Sequence, residues 1–410
     1  MTASLTDPVG ATTAPRAAAP KAARQRDLRL DFYRGIAMVI ILVAHIPFNR
    51  LSNYIPARYG WSDAAEIFVF CSGMASALAF GKVFHDRGWF MGVARVAHRV
   101  WQVYWAHICL FLAVALTKAA IDVSGIWAAH GGFEKNYVTS MNLHHFFDNA
   151  RENLVGLMTL TYVPNYFDIL PMYLVILAMI PAVMALARVH PWLALAASVS
   201  LWAVAQTRTL SLPAEPWSDR PWFFNPFGWQ LVFFTGFAFM RGWLPRPPVA
   251  AWLIGLCVAF LVVSVPFGRW QIWTEVPWIE AWREANGALF AKTDQGILRY
   301  VHFLALAYLA WVVAGEGGAR LRVTGDGVLA VLWQRVLAMI LKVGQQSLAV
   351  FVFSMWLAQV LGFVLDFTDD RGWRPTLAVN AVGIAMIVAV AYLAGWIKSS
   401  PWRTPRAAPH

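Results

Sequence analysis

The stretch from Arg29 to Asn49, RLDFYRGIAMVIILVAHIPFN, constrains the chain more than any other. It opens with Arg29, Asp31 and Arg34, runs through ten apolar or small residues, and reaches His45 two positions before Pro47. About 20 mostly apolar residues cross a bilayer as a helix, and this segment has that length and character. Arg34 and His45 lie eleven positions apart. At about 100° per residue that is close to three full turns, so both side chains share one face, ~16 Å apart along the axis. A cation near one membrane surface and a titratable imidazole deep on the same stripe is an expensive arrangement in lipid. The pair is therefore a candidate site.

The rest of the chain repeats the pattern of apolar runs. Only 13% of the 410 residues are charged and 59% are hydrophobic, against about 25% charged in a soluble domain. The expected fold is an all-α, polytopic transmembrane helical bundle. Ten spans are expected, at 30–49, 63–81, 98–120, 168–188, 190–207, 226–243, 249–267, 296–314, 345–365 and 375–397. Residues 152–162 are too short to cross and suit an interfacial helix. Residues 328–344, broken by Arg335 and Lys342, read as an amphipathic surface helix. Residues 1–26 read as a disordered cytoplasmic tail, 27–398 as the membrane domain and 399–410 as a second cytoplasmic tail. No removable signal peptide is expected before the first span.

Charge sets the orientation. With the N-terminus inside, the inner segments carry 19 Lys and Arg and the outer ones 12, which favours both termini in the cytoplasm. The net charge of +11 then belongs to cytoplasmic loops and implies no nucleic-acid partner. Cys71, Cys109 and Cys257 lie far apart in apolar runs and read as small hydrophobes, with no metal set among them.

Polar residues gather at the outer ends of five spans. His45 ends the first; Asp63 and Glu66 open the second. Asn165, Tyr166 and Asp168 open the fourth, Asn225 and Trp229 the sixth, and Asp294, Arg299 and His302 the eighth. For Asp63, Asp168 and Asn225 the ordinary alternative is a helix cap. Glu66 lies inside an apolar run, where a carboxylate needs a partner or a proton. A neutral histidine beside a carboxylate is a competent general base. At the inner ends, Arg34, Arg95, Arg99, Arg335 and Lys342 can hold anionic lipid headgroups or the phosphates of an acyl carrier. A carrier docked at Arg34 needs an arm of ~16 Å to reach His45, and coenzyme A fits in shape and charge. The many outer-loop aromatics, Trp217 among them, suit either an interfacial belt or a sugar platform.

The blocks RDLRLDFYRGIAMVIILVAHIP and YGWSDAAEIFVFCSGM resemble those of the OpgC family, membrane succinyltransferases of osmoregulated periplasmic glucans, similar to the wider acyltransferase-3 proteins. FDILPMYLVIL, FNPFGWQLVFFTG, RYVHFLALAYL and GQQSLAVFVFS resemble later blocks in the same order. The resemblance implies cofactor positioning for Arg34, a general base at His45, and a supporting carboxylate at Glu66 or Asp63. By their positions rather than by the resemblance, Arg95, Arg99 and Arg335 are candidates to assist the carrier, and Asp168, Tyr173, Asn225, Trp229, Arg299 and His302 to meet the substrates. The resemblance further implies a bacterial inner-membrane O-acyltransferase with succinyl-CoA as donor substrate, no permanently bound cofactor and a periplasmic glucan as acceptor. Membrane lipid surrounds it, and the oligomeric state is open between monomer and homo-oligomer. Two departures stand in the blocks: Met74 where an aromatic is common, and Ala44 before His45. An acetyl-specific glycan acyltransferase and a proton-coupled transporter are the alternatives.

Overall fold

The computed structural model describes residues 27–126, 135–368 and 372–402. The expected tail over 1–26, and the part of the C-terminal tail beyond 402, lie outside the described residues.

Apolar runs fold into helices because only a helix satisfies its own backbone groups away from water. Among the described residues eleven long helices result: α1 (Arg29–His45), α2 (Ala64–Asp86), α3 (Gly88–Ser124), α4 (Ile169–Val189), α5 (Pro191–Ala205), α6 (Pro226–Arg241), α7 (Ala251–Gly268), α8 (Ile297–Ala314), α9 (Val328–Gln345), α10 (Ser347–Phe367) and α11 (Trp373–Lys398). No strand occurs among the described residues, and eight of these helices are long and apolar enough to cross a membrane. The apolar α5 has 15 residues, α1 has 17 and α6 has 16.

The expected spans are all helical, with shifted ends. The first span stops at His45 rather than residue 49, because Pro47 forces the residue before it, Ile46, into an extended conformation. The third starts ten residues earlier than expected and runs for 37 residues, about 55 Å. Its amphipathic start continues the helix past any hydrocarbon layer. The short helix Ala150–Thr159 stands where the interfacial segment was expected.

Helix ends sort into two sets, named here by the residues of α1 they accompany. The start of α2, of α4, of α6 and of α8 lies at the His45 end, where Asp63, Asp168, Asn225 and Arg299 sit. The ends of α2 and α6 meet at the other end through Gly81 and Arg241. Lys398, at the close of α11, lines a cavity with Arg34, so both extremities of the described chain share the Arg34 end. The helix α9 both starts and finishes there: Trp333 donates to the Leu321 carbonyl, and Gly344 abuts Asp31. Long and apolar enough to cross, α9 packs against the start of α1 and the close of α11.

Two close crossings hold the bundle together. A Cβ on Gly73 of α2 would collide with the Phe233 carbonyl of α6, and one on Gly344 of α9 with the Asp31 carbonyl of α1. Small residues let backbones approach this way in lipid, where packing rather than water exclusion drives association. Gly73→Val is accordingly expected to cost about 1–3 kcal/mol through overpacking, read as a lower thermal midpoint of the detergent-solubilised protein. An unchanged midpoint would mean that α2 and α6 can separate freely.

Candidate functional site

Helix α1 passes from one cavity to another. At its start, Arg34 lines a cavity of about 830 Å³ with Arg95, Arg99, Lys398, Ser347 and Tyr173. At its end, His45 lines one of about 490 Å³ with Asp63, Asn165, Tyr166, Asp168 and Lys292. Between them Phe68 of α2 stacks on Phe351 of α10 at 5.5 Å and meets Tyr173 of α4 at 6.4 Å. Tyr173 lines the first cavity and Phe351 the second, so a thin aromatic layer divides the two.

Arg34 donates from Nη2 to Ser347 Oγ, while its buried Nε finds no partner. An arginine fork with an unfilled position, facing a cavity that also holds two further arginines and a lysine, is suited to a polyanion. Lys398 donates to Gln346 at 2.6 Å and Arg99 to Gln102 at 3.2 Å, which fixes two of these cations on the rim. Of the cations expected here, Arg335 and Lys342 do not line the cavity: Lys342 lies against Gly395 and Tyr392 of α11, and Arg335 is exposed on α9. A helix packed on the bundle by one face turns the other outward, and Arg335 is on it.

His45 is oriented by its own helix. Its Nδ1 lies 2.7 Å from the Ile41 carbonyl, which can only accept, so Nδ1 carries the proton and Nε2 is left basic in the neutral ring. Tyr166 packs edge-on against the imidazole at 5.5 Å and donates its hydroxyl to the Met355 carbonyl at 2.5 Å. Tyr166 has φ 90, a conformation costing a non-glycine residue about 1–3 kcal/mol. The Met355 hydrogen bond and the ring contact hold it there.

The two carboxylates of the second block have separate positions. They form a capping box at the start of α2: Ala65 N donates to Asp63 at 2.7 Å and Asp63 N to Glu66 at 2.8 Å. Asp63 also takes Lys292 Nζ at 2.5 Å and Arg299 Nη2 at 3.1 Å, and it lines the His45 cavity. Glu66 is fully buried, bound by Arg299 through both Nε and Nη2, and does not line that cavity. Neither carboxylate hydrogen-bonds His45. The carboxylate orienter expected for the imidazole is replaced by the Ile41 carbonyl, because Arg299 and Lys292 already saturate Asp63 and Glu66.

The remaining predicted residues divide similarly. Asp168 lines the His45 cavity, makes no side-chain cap and accepts from Phe223 N at 3.1 Å. Tyr173 belongs to the Arg34 cavity instead. Asn225 is a cap, accepting from Phe227 N at 3.1 Å and donating to Asp294 at 2.9 Å. Trp229 donates to the Lys292 carbonyl at 2.8 Å and so positions that lysine's segment from behind. His302 pairs with Ser62 at 2.7 Å within a nest of Trp61 and Phe260, away from the cavity. Arg299 faces the carboxylates rather than a substrate space. Lys292 was not among the predicted residues. It stands in a long connection between α7 and α8, where nothing local distinguishes it from a solvated loop lysine.

Among the described residues no group of three or more His, Cys, Asp or Glu could hold a metal ion. Residues 26–399 match the family model described as OpgC protein. No curated protein and no solved structure matches the chain. The match covers every helix and both cavities, and it makes the chain a member of the OpgC protein family.

Proposed function

We propose that the chain carries a succinyl group from succinyl-CoA, bound at the Arg34 end, to a hydroxyl of a glucan at the His45 end. Membership of the OpgC family implies a membrane acyltransferase acting on glucans. The observation that supports the finer reading is the pair of cavities on one helix, cationic around Arg34 and basic around His45. In this reading ten helices cross the inner membrane, α9 lies on its cytoplasmic surface, and both termini are cytoplasmic. The charge bias and the shared end of residues 27 and 402 agree with that topology.

The chemistry follows from the donors and acceptors available. The phosphates of the donor pair with Arg34, Arg95 and Arg99, and the pantetheine arm follows α1 past Phe68 and Phe351. His45 Nε2 takes the proton from a glucose hydroxyl as its oxygen forms a bond to the thioester carbonyl carbon. The C–S bond then breaks and the imidazolium returns the proton to the leaving thiolate. Asp63 stabilises the imidazolium through space, while Lys292 stands beside the reacting carbonyl as a source of positive potential.

Two measurements test this. Label from succinyl-CoA should appear on glucan with purified protein; label from acetyl-CoA alone would change the donor, and label from neither would leave the transporter. Arg34→Ala should raise the apparent KM for the acyl-CoA about tenfold or more, the worth of a charge-assisted hydrogen bond, with a smaller change in kcat. A collapse of kcat at unchanged KM would move Arg34 out of donor binding.

A further inference from the structure

A third, smaller cavity of about 170 Å³ lies beside the His45 cavity, built from segments outside the long helices. Asn165 lines both. Trp217, Tyr162 and His145 supply its rings, and Glu215 and Arg220 its charges. The space is of the order of a single sugar ring.

Its walls are fixed before any ligand arrives. Val163 N donates to the Ala214 carbonyl at 2.7 Å and Ala214 N to the Arg220 carbonyl at 2.8 Å, over a small core of Val163, Ala214 and Trp222. Arg220 reaches Glu215 at 2.9 Å, Asn165 at 2.9 Å and the Val163 carbonyl at 3.1 Å. Trp217 stacks on His145 at 4.2 Å and meets Tyr162 at 5.6 Å, yet remains 42% exposed. An indole serving only as a membrane-interface anchor needs neither the stacking partner nor the charged pair beside it.

One polar group is unspent. The Tyr162 hydroxyl is buried, with the residue 1% exposed, and has no hydrogen-bond partner. Tyr162 lines the cavity together with Glu215 and Arg220; burial and then the Glu215 carboxylate push its phenol above the usual range, with Arg220 opposing. A buried hydroxyl left unmatched costs about 1–3 kcal/mol, so a ligand that supplies the partner is favoured. Glu215 and Arg220 cancel each other's charge, and with Asn142 and Asn165 they offer donors and acceptors without net charge. That combination of aromatic faces and neutral polarity selects a polyol over a phosphate or a carboxylate.

We infer that this cavity is an acceptor subsite for a neutral glucosyl unit, adjoining through Asn165 the unit whose hydroxyl is presented to His45. The inference rests on the glucan-acceptor reading above. It assigns Trp217 and Tyr162 to acceptor affinity, with no part in donor binding or proton transfer.

The test uses a neutral β-glucan oligosaccharide and the full-length protein in detergent. Equilibrium dialysis without any acyl-CoA should show Trp217→Ala binding the oligosaccharide about tenfold more weakly, the size of one lost ring contact. In the transfer assay the same variant should raise acceptor KM by a similar factor, leaving donor KM and the maximal rate unchanged. Tyr162→Phe, which removes one atom and keeps the ring, should weaken binding severalfold and serves if the Trp217 variant does not fold. Unaltered oligosaccharide affinity in both variants overturns the subsite even if wild-type transfer proceeds. Weakened binding in the variants, with no transfer by the wild type, keeps the subsite and overturns the reaction.

Discussion

His45→Ala is expected to abolish label transfer to glucan and to leave acyl-CoA affinity within about twofold of wild type. The magnitude follows from the role. A positioned general base contributes about 10²–10⁴-fold, and the other nitrogen bases that line this cavity among the described residues are cations, Lys292 paired with Asp63 and the Arg58 guanidinium, while His302 lies outside it on Ser62. The separation of effects follows from geometry, since the ring lies at one end of α1 and the cationic cavity at the other. Donor affinity is read by isothermal titration, and turnover by label on glucan. Loss of donor binding with His45→Ala, or turnover persisting within tenfold, would assign the base elsewhere. His45→Asn separates shape from basicity, because its amide nitrogen falls at the position of the imidazole Nδ1 and can still donate to the Ile41 carbonyl yet cannot take a proton; it should be as inactive as the alanine variant.

How much of this was legible before the structure depends on what each residue needs from its neighbours. The alternation of apolar runs and polar ends follows from the bilayer alone, and all ten expected spans are helices with ends shifted by a few residues, apart from the early start of α3. The Arg34–His45 stripe follows from helical periodicity within one segment, and those two residues do line separate cavities on one helix. Partner choice was not legible. Whether Glu66 faces a substrate or Arg299 is decided by how α2 docks on α8, a contact spanning 233 positions. Lys292 and Trp217 lie in connections whose local sequence has no period to read, and their neighbours arrive from remote segments. The orientation of His45 by the Ile41 carbonyl was available in principle, since a residue four positions back is always within reach of a helical side chain.

Arg299→Leu is expected to have the largest structural effect of any single substitution. The arginine is 7% exposed and bridges Glu66, fully buried, to Asp63. Lys292 still neutralises Asp63 in its absence, at 2.5 Å. Glu66 keeps only the Asp63 backbone amide, at 2.8 Å. Removing one member of a buried pair costs about 3–5 kcal/mol, because the charge left behind has neither water nor counter-ion. The variant should therefore lose most of its thermal resistance and be recovered in low yield from detergent. The double variant Glu66→Leu with Arg299→Leu removes both charges together and should recover much of the midpoint, as apolar replacement of buried pairs does elsewhere. Its activity then separates two roles that the single variant confounds. If transfer returns with stability, the pair only joins α2 to α8, and Asp63 with Lys292 suffices beside His45. If stability returns and transfer does not, Arg299 holds Asp63 at the position from which it acts on the imidazolium, and the ion pair belongs to the reaction as a positioning element. Equal thermal midpoints for the single and double variants would show that Glu66 is not charged in the folded protein, and the ion pair would then have no electrostatic part in the fold.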